Sequence, residues 1–260
     1  MEFFNIRTGL VEVGSGLTSV IFKAVREAGV EFFEGDILII TSKLVATCEN
    51  RIVPVLNIKP SEKSKLLAEK ASLSPEFAEV VIREAEDVYG CVEGAILTLR
   101  EGIIQANAGV DRSNAPPGTF ILLPENPDKT AYSIHKTIKE EEGVHVGVII
   151  CDSNSLPLRI GTGGFALAVA GFEPVVDERG KNDLFGRPLQ VTRRNLADSL
   201  AHAAQILMGE SDEGIPMVLV RGAPVRLVND FISSDILKIA PEECMFLGVL
   251  CSRKDFYEIK

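Results

Sequence analysis

Two unbroken apolar runs, Ile37-Leu38-Ile39-Ile40 and Val146-Gly147-Val148-Ile149-Ile150, end abruptly in polar residues, and this pattern constrains the fold more than any other feature of the chain. Runs this short cannot span a membrane, and with no polar residue in the repeat they read as strands buried on both faces. Each empties into residues able to receive a ligand: Thr41-Ser42-Lys43 after the first run, and Cys151-Asp152-Ser153-Asn154-Ser155 after the second. Residues 120–123 and 215–220 give two more strands of the same kind. Helical spacing over 17–28, 62–71, 75–88, 128–142 and 195–208 alternates with them. The fold class is therefore a mixed α/β unit, intertwined and without internal repeats, followed by a segment over 226–260.

A hairpin, 95–99 and 103–107 around Arg100-Glu101-Gly102, feeds the polar stretch Gln105-Ala106-Asn107-Ala108-Gly109-Val110-Asp111-Arg112-Ser113-Asn114. An ordinary Asn/Gly turn has a similar composition, but the Asp152 stretch repeats the arrangement of an aspartate with neighbouring hydroxyl and amide oxygens. Two carboxylates brought to about 4 Å repel by roughly 4 kcal/mol at an effective dielectric near 20. A divalent cation removes that cost, and oxygen-only donors favour magnesium or manganese over zinc. A third acidic stretch, Met208-Gly209-Glu210-Ser211-Asp212-Glu213-Gly214, begins where a helix ends at glycine. Three acidic loops on separate elements point to a phosphate-handling metal site. The amides, hydroxyls and ammonium of 41–43 suit phosphate oxygens, although a plain strand-to-loop exit also explains them.

Charge narrows the partners. With 37 Asp+Glu against 27 Lys+Arg the formal charge is −10, and no basic cluster is denser than Arg193-Arg194, so a nucleic-acid face is excluded and any phosphate belongs to a small molecule. No apolar stretch reaches about 18 residues and the N-terminal stretch has no basic region, which disfavours membrane spanning and secretion. Five cysteines at 48, 91, 151, 244 and 251, without a C-x-x-C spacing, indicate neither disulfides nor zinc, and the cytoplasm is the expected location. Gly14-x-Gly16 with Asp36 beyond it imitates a dinucleotide fingerprint, but Ser19 stands in place of the third glycine and Glu12 interrupts the preceding run.

Other expectations follow from spacing. Asp128 caps a helix whose inner face is Ala131, Ile134 and Ile138, with His135 beside that stripe as a partly packed side chain. The helix over 195–208 buries Leu196, Leu200, Ala203 and Leu207. The segment 159–171, rich in glycine and alanine, suits close backbone approach to a ligand or to another subunit.

Taken together, residues 6–222 resemble the coenzyme F-420-0 gamma-glutamyl ligase family, whose members add L-glutamate to a deazaflavin precursor. The resemblance rests on 35–42, on 106–114, on Leu122-Leu123-Pro124 with Pro127-Asp128, on 147–150 with Asp152, on 183–189, on Met208-Gly209-Glu210 and on Val220-Arg221-Gly222. It implies a gamma-glutamyl ligase-like domain over 6–225, with 226–260 as the C-terminal segment, and two intertwined sub-lobes forming a homodimer. It also implies one metal, Mg2+ or Mn2+, on Asp111 and Asp152, and a second on Ser153 and Glu210. GTP would be held by Leu10, Val11, Glu12, Val13, Thr41, Ser42, Asn114, Met208, Gly209, Ser211, Asp212, Glu213, Gly214 and Ile215. The implied reaction activates the acceptor carboxylate as an acyl phosphate, which the amine of L-glutamate then displaces.

The chain departs from the family pattern at three places. Thr47 stands where the family has a lysine near the nucleotide phosphates, so Lys43, four residues earlier, becomes the candidate catalytic cation beside Asp111 and Asp152. Ser155-Leu156-Pro157 replaces a Gly-Arg-Pro pattern, and Ala197-Asp198-Ser199 replaces Ala-Asp-Glu. These departures leave two other readings open: a ligase of the same fold acting on a different acid, and a metal-binding homologue without catalysis.

Overall fold

The computed structural model describes residues 1–250; residues 251–260, including Cys251, lie outside the described residues. In chain order the elements are β1 (Glu2–Ile6), α1 (Leu17–Glu27), β2 (Ile37–Thr41), α2 (Ser42–Cys48), β3 (Ile52–Pro54), α3 (Glu62–Ala71), α4 (Pro75–Glu84), β4 (Asp87–Val92), β5 (Ala95–Arg100), β6 (Ile103–Ala106) and β7 (Thr119–Ile121). The second half contains α5 (Pro127–Glu142), β8 (Gly147–Ser155), β9 (Thr162–Ala170), β10 (Val175–Asp177), β11 (Arg193–Asn195), α6 (Leu196–Met208), β12 (Met217–Arg221) and α7 (Met245–Leu250).

The central sheet has the order β1-β12-β2-β8-β9. Its pair β2–β8 is parallel, and the other pairs are antiparallel. Both apolar runs are buried on both faces. Leu38, Ile40, Val148 and Ile150 pack with α1, α2 and α5 through Ile21, Val25, Leu44, Ile134 and Ile138. Ile37, Ile39, Ile149, Val218 and Val220 turn the other way and meet Leu200, Ala201 and Ala204 of α6. A second body of core joins α3 and α4 to the β4-β5-β6 sheet through Phe77, Ala78, Val81 and Ile96. The mixed α/β class read from the sequence is the class observed.

The hairpin β5–β6 turns through Glu101 and Gly102, both at positive φ (49° and 72°), the backbone of a two-residue turn whose twist matches its strands. Asp36, 1% exposed, is locked by Arg221, whose Nε and Nη2 donate to Oδ1 at 2.9 Å and Oδ2 at 2.7 Å. The Arg221 guanidinium lies 4.0 Å from the Phe33 ring centroid and 5.0 Å from that of Phe4. The acidic residue of the glycine-pair pattern thus ties the start of β2 to the end of β12.

Several local expectations are corrected. Thr41-Ser42-Lys43 is not a loop exit: Thr41 Oγ1 accepts from Leu44 N and caps α2 directly at the end of β2. The helix expected over 75–88 stops at Glu84, because 87–92 pairs with β5 as an extra strand. Asn126, not Asp128, caps α5; Asp128 Oδ2 instead accepts from Ser234 N at 3.0 Å and Ser234 Oγ at 3.2 Å, tying the 226–250 stretch to the body. His135 is buried outright, its Nδ1 2.8 Å from the Val146 carbonyl oxygen. On α6 the buried stripe is Ala197, Leu200, Ala201, Ala204 and Met208, while Leu196, Ala203 and Leu207 are half-buried. Within the 159–171 segment Thr162–Ala170 form β9, and Gly163 and Gly164 face this chain's own α6: a Cβ at Gly164 would lie 2.5 Å from the Ala201 carbonyl oxygen. Close approach to α6 is what Gly163 and Gly164 permit.

Candidate active site

Parallel strands in an α/β sheet present their carboxyl ends to one edge, and ligands gather there. β2 and β8 are such a pair, in register from Ile37 opposite Gly147 to Thr41 opposite Cys151. The residues that leave these two ends are Ser42 and Lys43 on α2, and Asp152 on β8. Asp152 belongs to the strand, since β8 continues to Ser155 by pairing with β9; the loop expected over 151–155 is sheet.

Asp111 arrives from the other body of core. After β6 the chain makes a tight turn with Asn107, Ala108 and Gly109 all at positive φ (57°, 50° and 71°). Gly109 is required, because a Cβ there would sit 2.4 Å from Leu123 Cγ. Asp111 then exchanges backbone hydrogen bonds with Ile121, at 3.0 and 2.9 Å, and its side chain points at α2. Lys43 Nζ lies 2.6 Å from Asp111 Oδ2 and donates to Ser113 Oγ at 2.7 Å, while Ser113 Oγ donates to Asp111 Oδ2 at 2.7 Å. Although burial opposes it, the Lys43 ammonium and Ser113 hold the Asp111 carboxyl below its ordinary range.

Asp152 has the opposite electrostatics. Burial pushes its carboxyl up to about 6, against the hydrogen bond from Ser153 N, the charge of Lys43 and a side-chain hydrogen bond with Ser42, with Asp111 adding repulsion. Asp111, Asp152 and Lys43 are thus one electrostatic unit: two carboxylates and one ammonium. Adjacent residues of an extended strand project from opposite faces, so Ser153 turns away from that unit. Glu210 belongs to Ser153's side. It adds to the forces raising the buried Cys151 thiol, and it accepts from Thr162 Oγ1 at 3.2 Å, on the residue paired with Ser155. Gln205 Nε2 also donates to Glu210 Oε1.

The three acidic stretches therefore do not close on one point. Among the described residues no three His, Cys, Asp or Glu side chains form a candidate metal cluster. The structure brings together Asp111, Asp152, Lys43 and Ser42 on one face of β8, and gives Ser153 and Glu210 the other. Every donor is an oxygen, and an ammonium already rests against Asp111, so the set fits a hard divalent cation such as Mg2+ or Mn2+. Because such an ion needs the ionised carboxylate, Mn2+ uptake by Asp111 and Asp152 is expected to weaken as pH falls through about 6, approaching ten-fold per pH unit below it. Calorimetric titration with Mn2+ at about pH 7.5 and about pH 5 measures this.

The remaining sequence candidates form the surroundings. Asn114 Nδ2 donates to the Ser211 carbonyl at 2.9 Å, joining the Asp111 turn to the 208–215 stretch. Glu213 Oε2 accepts from Ser211 N at 2.9 Å, shaping that stretch after Gly209 ends α6. Leu10, Val11, Glu12 and Val13 precede Gly14, whose N–H donates to the Thr47 carbonyl at 2.9 Å, so this loop abuts α2. Thr41 and Ser42 are engaged as cap and Asp152 partner. The hydroxyl of Thr47 donates to the Lys43 carbonyl one turn back, at 2.8 Å. Ser199 is likewise turned inward on its own helix, to the Asn195 carbonyl at 2.7 Å, and Leu156 is exposed.

Sequence reasoning missed Thr162, Gln205 and Arg7. Gln205 is the one with a local signal, five positions before Glu210 on the helix that delivers it. Arg7, whose Nη1 donates to the Glu213 carbonyl, reaches across 206 residues of sequence and has none.

The model of the family F420-0:Gamma-glutamyl ligase matches residues 5–222. A coenzyme F420:L-glutamate ligase of Methanopyrus kandleri is 44% identical over 198 residues, covering 76% of this chain and 79% of that protein. The protein of the same name in Methanothermobacter thermautotrophicus is 38% identical over 216 residues, 83% and 86% of the two chains. One from Methanosarcina mazei is 35% identical over 244 residues, 94% of each.

Proposed function

The chain belongs to the F420-0:gamma-glutamyl ligase family, and from that premise we propose that it joins L-glutamate to the deazaflavin coenzyme F420-0 through an amide bond, with GTP as the energy source and Mg2+ or Mn2+ as cofactor. The observation that carries the reading is the unit of Asp111, Asp152 and Lys43 at the carboxyl ends of β2 and β8. Amide formation from a free carboxylate needs a leaving group. The acceptor carboxylate attacks the γ-phosphorus of GTP, GDP departs, and the amine of L-glutamate then attacks the acyl phosphate and expels inorganic phosphate.

In this reading Asp111 and Asp152 hold one divalent ion, Ser153 and Glu210 a second, and the ions supply charge neutralisation at the phosphates. Gln205 and Thr162 orient the Glu210 carboxylate for that duty. Leu10 to Val13, Thr41, Ser42 and the 208–215 stretch line the nucleotide, with Asn114 fixing the last of these. Lys43 is the cation that α2 directs at the reacting phosphate, since it is the one charged residue of that helix. Residues 6–225 constitute the ligase-like domain and 226–260 the C-terminal segment. The partners are small molecules, not nucleic acid or membrane. Among the described residues no helix is long and apolar enough to cross a membrane; the location in this reading is the cytoplasm.

The test is phosphate release with GTP, Mn2+, L-glutamate and F420-0. Release that requires all four supports the ligase; release without L-glutamate, or none with any acceptor, would overturn it.

The two intertwined sub-lobes of a homodimer form the other part of the proposal. Its support is a set of exposed apolar side chains on two projections: Leu158 and Ile160 between β8 and β9, and Leu184, Phe185 and Val191 between β10 and β11. Apolar side chains left in water on two excursions of the chain support a surface that a partner covers in this reading. Light scattering at micromolar concentration is expected to give twice the 28.2 kDa mass of one chain, and Leu158→Glu with Ile160→Glu to return it to the single mass.

A further inference from the structure

Lys43 is placed where it obstructs the ion that the ligase reading requires. Its ammonium contacts Asp111 Oδ2 and Ser113 Oγ, at 2.6 and 2.7 Å, and its charge also acts on Asp152. These are the carboxylates offered to the first divalent cation. An ammonium and a divalent ion cannot both sit against one carboxylate oxygen without strong mutual repulsion in this partly dry environment. One must leave, and Lys43 is equipped to do so, with a flexible four-carbon stem and a side chain that is 27% exposed.

We propose that Lys43 is a tethered counter-ion: it neutralises Asp111 and Asp152 in the metal-free protein, competes with the divalent cation for them, and on displacement carries its ammonium to the nucleotide phosphates. The first half rests on the metal site of the ligase reading, and the second on its nucleotide as well. The position on α2 supports both halves. Thr47, one turn on, carries no charge and spends its hydroxyl on the Lys43 carbonyl, so a displaced Lys43 is the cation left on that helix to meet an incoming anion. The arrangement links the two ligands. Metal binding frees the ammonium for phosphate, and phosphate offers the ammonium a place other than Asp111, so each raises the affinity for the other by the same factor.

The experiment measures Mn2+ affinity of the full chain without nucleotide, by calorimetry and by electron paramagnetic resonance of free Mn2+. The proteins are wild type, Lys43→Met, Lys43→Gln, Lys43→Arg and the double variant Lys43→Met/Asp111→Asn. Removing the ammonium is expected to tighten Mn2+ binding at least ten-fold in both neutral variants, with Arg resembling wild type and the double variant losing the gain. Neutral variants that bind Mn2+ equally well or more weakly than wild type would overturn the tethered counter-ion, as would absence of Mn2+ binding in every protein. GTP is then titrated separately. Tightening of Mn2+ in the neutral variants, with no GTP binding by any protein, would keep the counter-ion while removing both the transfer to phosphate and the nucleotide part of the ligase reading.

Discussion

Asp152→Asn is expected to give a protein that is more stable without metal, yet at least about 100-fold slower in phosphate release. The two effects come from the same cause. Burial raises the Asp152 carboxyl to about 6 in the folded chain, above its unfolded value near 3.9. A carboxyl raised on folding contributes most when both states are protonated, below about pH 4. Its contribution is lost as pH climbs toward 6, and the full cost of the buried charge remains at neutral pH. Asparagine keeps the size and the acceptor for Ser42 and Ser153 N, and it removes that charge. Metal affinity moves the other way, because even residues that only support a ligand cost ten- to 100-fold when changed. Thermal melting of metal-free protein and the phosphate-release assay check the pair of outcomes. A variant that melts lower than wild type, or turns over normally, would remove Asp152 from the role assigned to it.

The largest stability effect is expected away from the site, at Asp36→Ala. Loss of this carboxylate leaves Arg221, held between Phe4 and Phe33, with the Glu31 carbonyl and the charge of Glu2 but no directly paired carboxylate, and removing one member of a buried pair costs about 3–5 kcal/mol. Arg221 is 26% exposed and can recover some hydration, which puts the expectation near the lower figure, about 3 kcal/mol. Urea unfolding measures it. The double variant Asp36→Ala/Arg221→Met, which removes both charges and keeps the apolar stem, should recover part of the loss; a single-variant cost under about 1 kcal/mol would mean that the pair is solvated.

How far the sequence reached depends on how local each determinant is. The runs at 37–40 and 146–150 are buried on both faces, so their strands were legible from composition alone. The helices expected over 17–28, 62–71 and 195–208 are set by spacing within the segment itself, and they lie at 17–27, 62–71 and 196–208. What spacing could not find is what tertiary pairing imposes. Residues 87–92 carry Glu86 and Gly90 nearby and look like the frayed end of α4, but β5 supplies a ladder that makes them a strand. Asp128 has the residue type of a cap and is spent on Ser234, 106 positions away. The candidate site divides in the same way. Asp111 and Asp152 stand out because carboxylates at strand ends are costly without a reason to be there. Its place at a strand end marked Lys43 as a cation suited to phosphate, but its contact with Asp111 was beyond any local signal, since 68 positions separate them.

The order of the central sheet carries a last consequence, for how the chain is made. β12, the last strand of the sheet in sequence, lies between β1 and β2 and pairs with both. On the ribosome, the first two strands therefore wait for residues 217–221 before their shared neighbour exists, with two ladder edges unpaired in the interval. Pairings of such long sequence separation form slowly and leave strand edges open to other nascent chains. A chain released before Arg221 would hold Lys43, Asp111 and Asp152 in its sequence and still lack the sheet that lines them up. Assembly of the reactive edge is in this sense one of the final events of synthesis, and chaperone dependence should rise steeply for truncations that stop short of that strand.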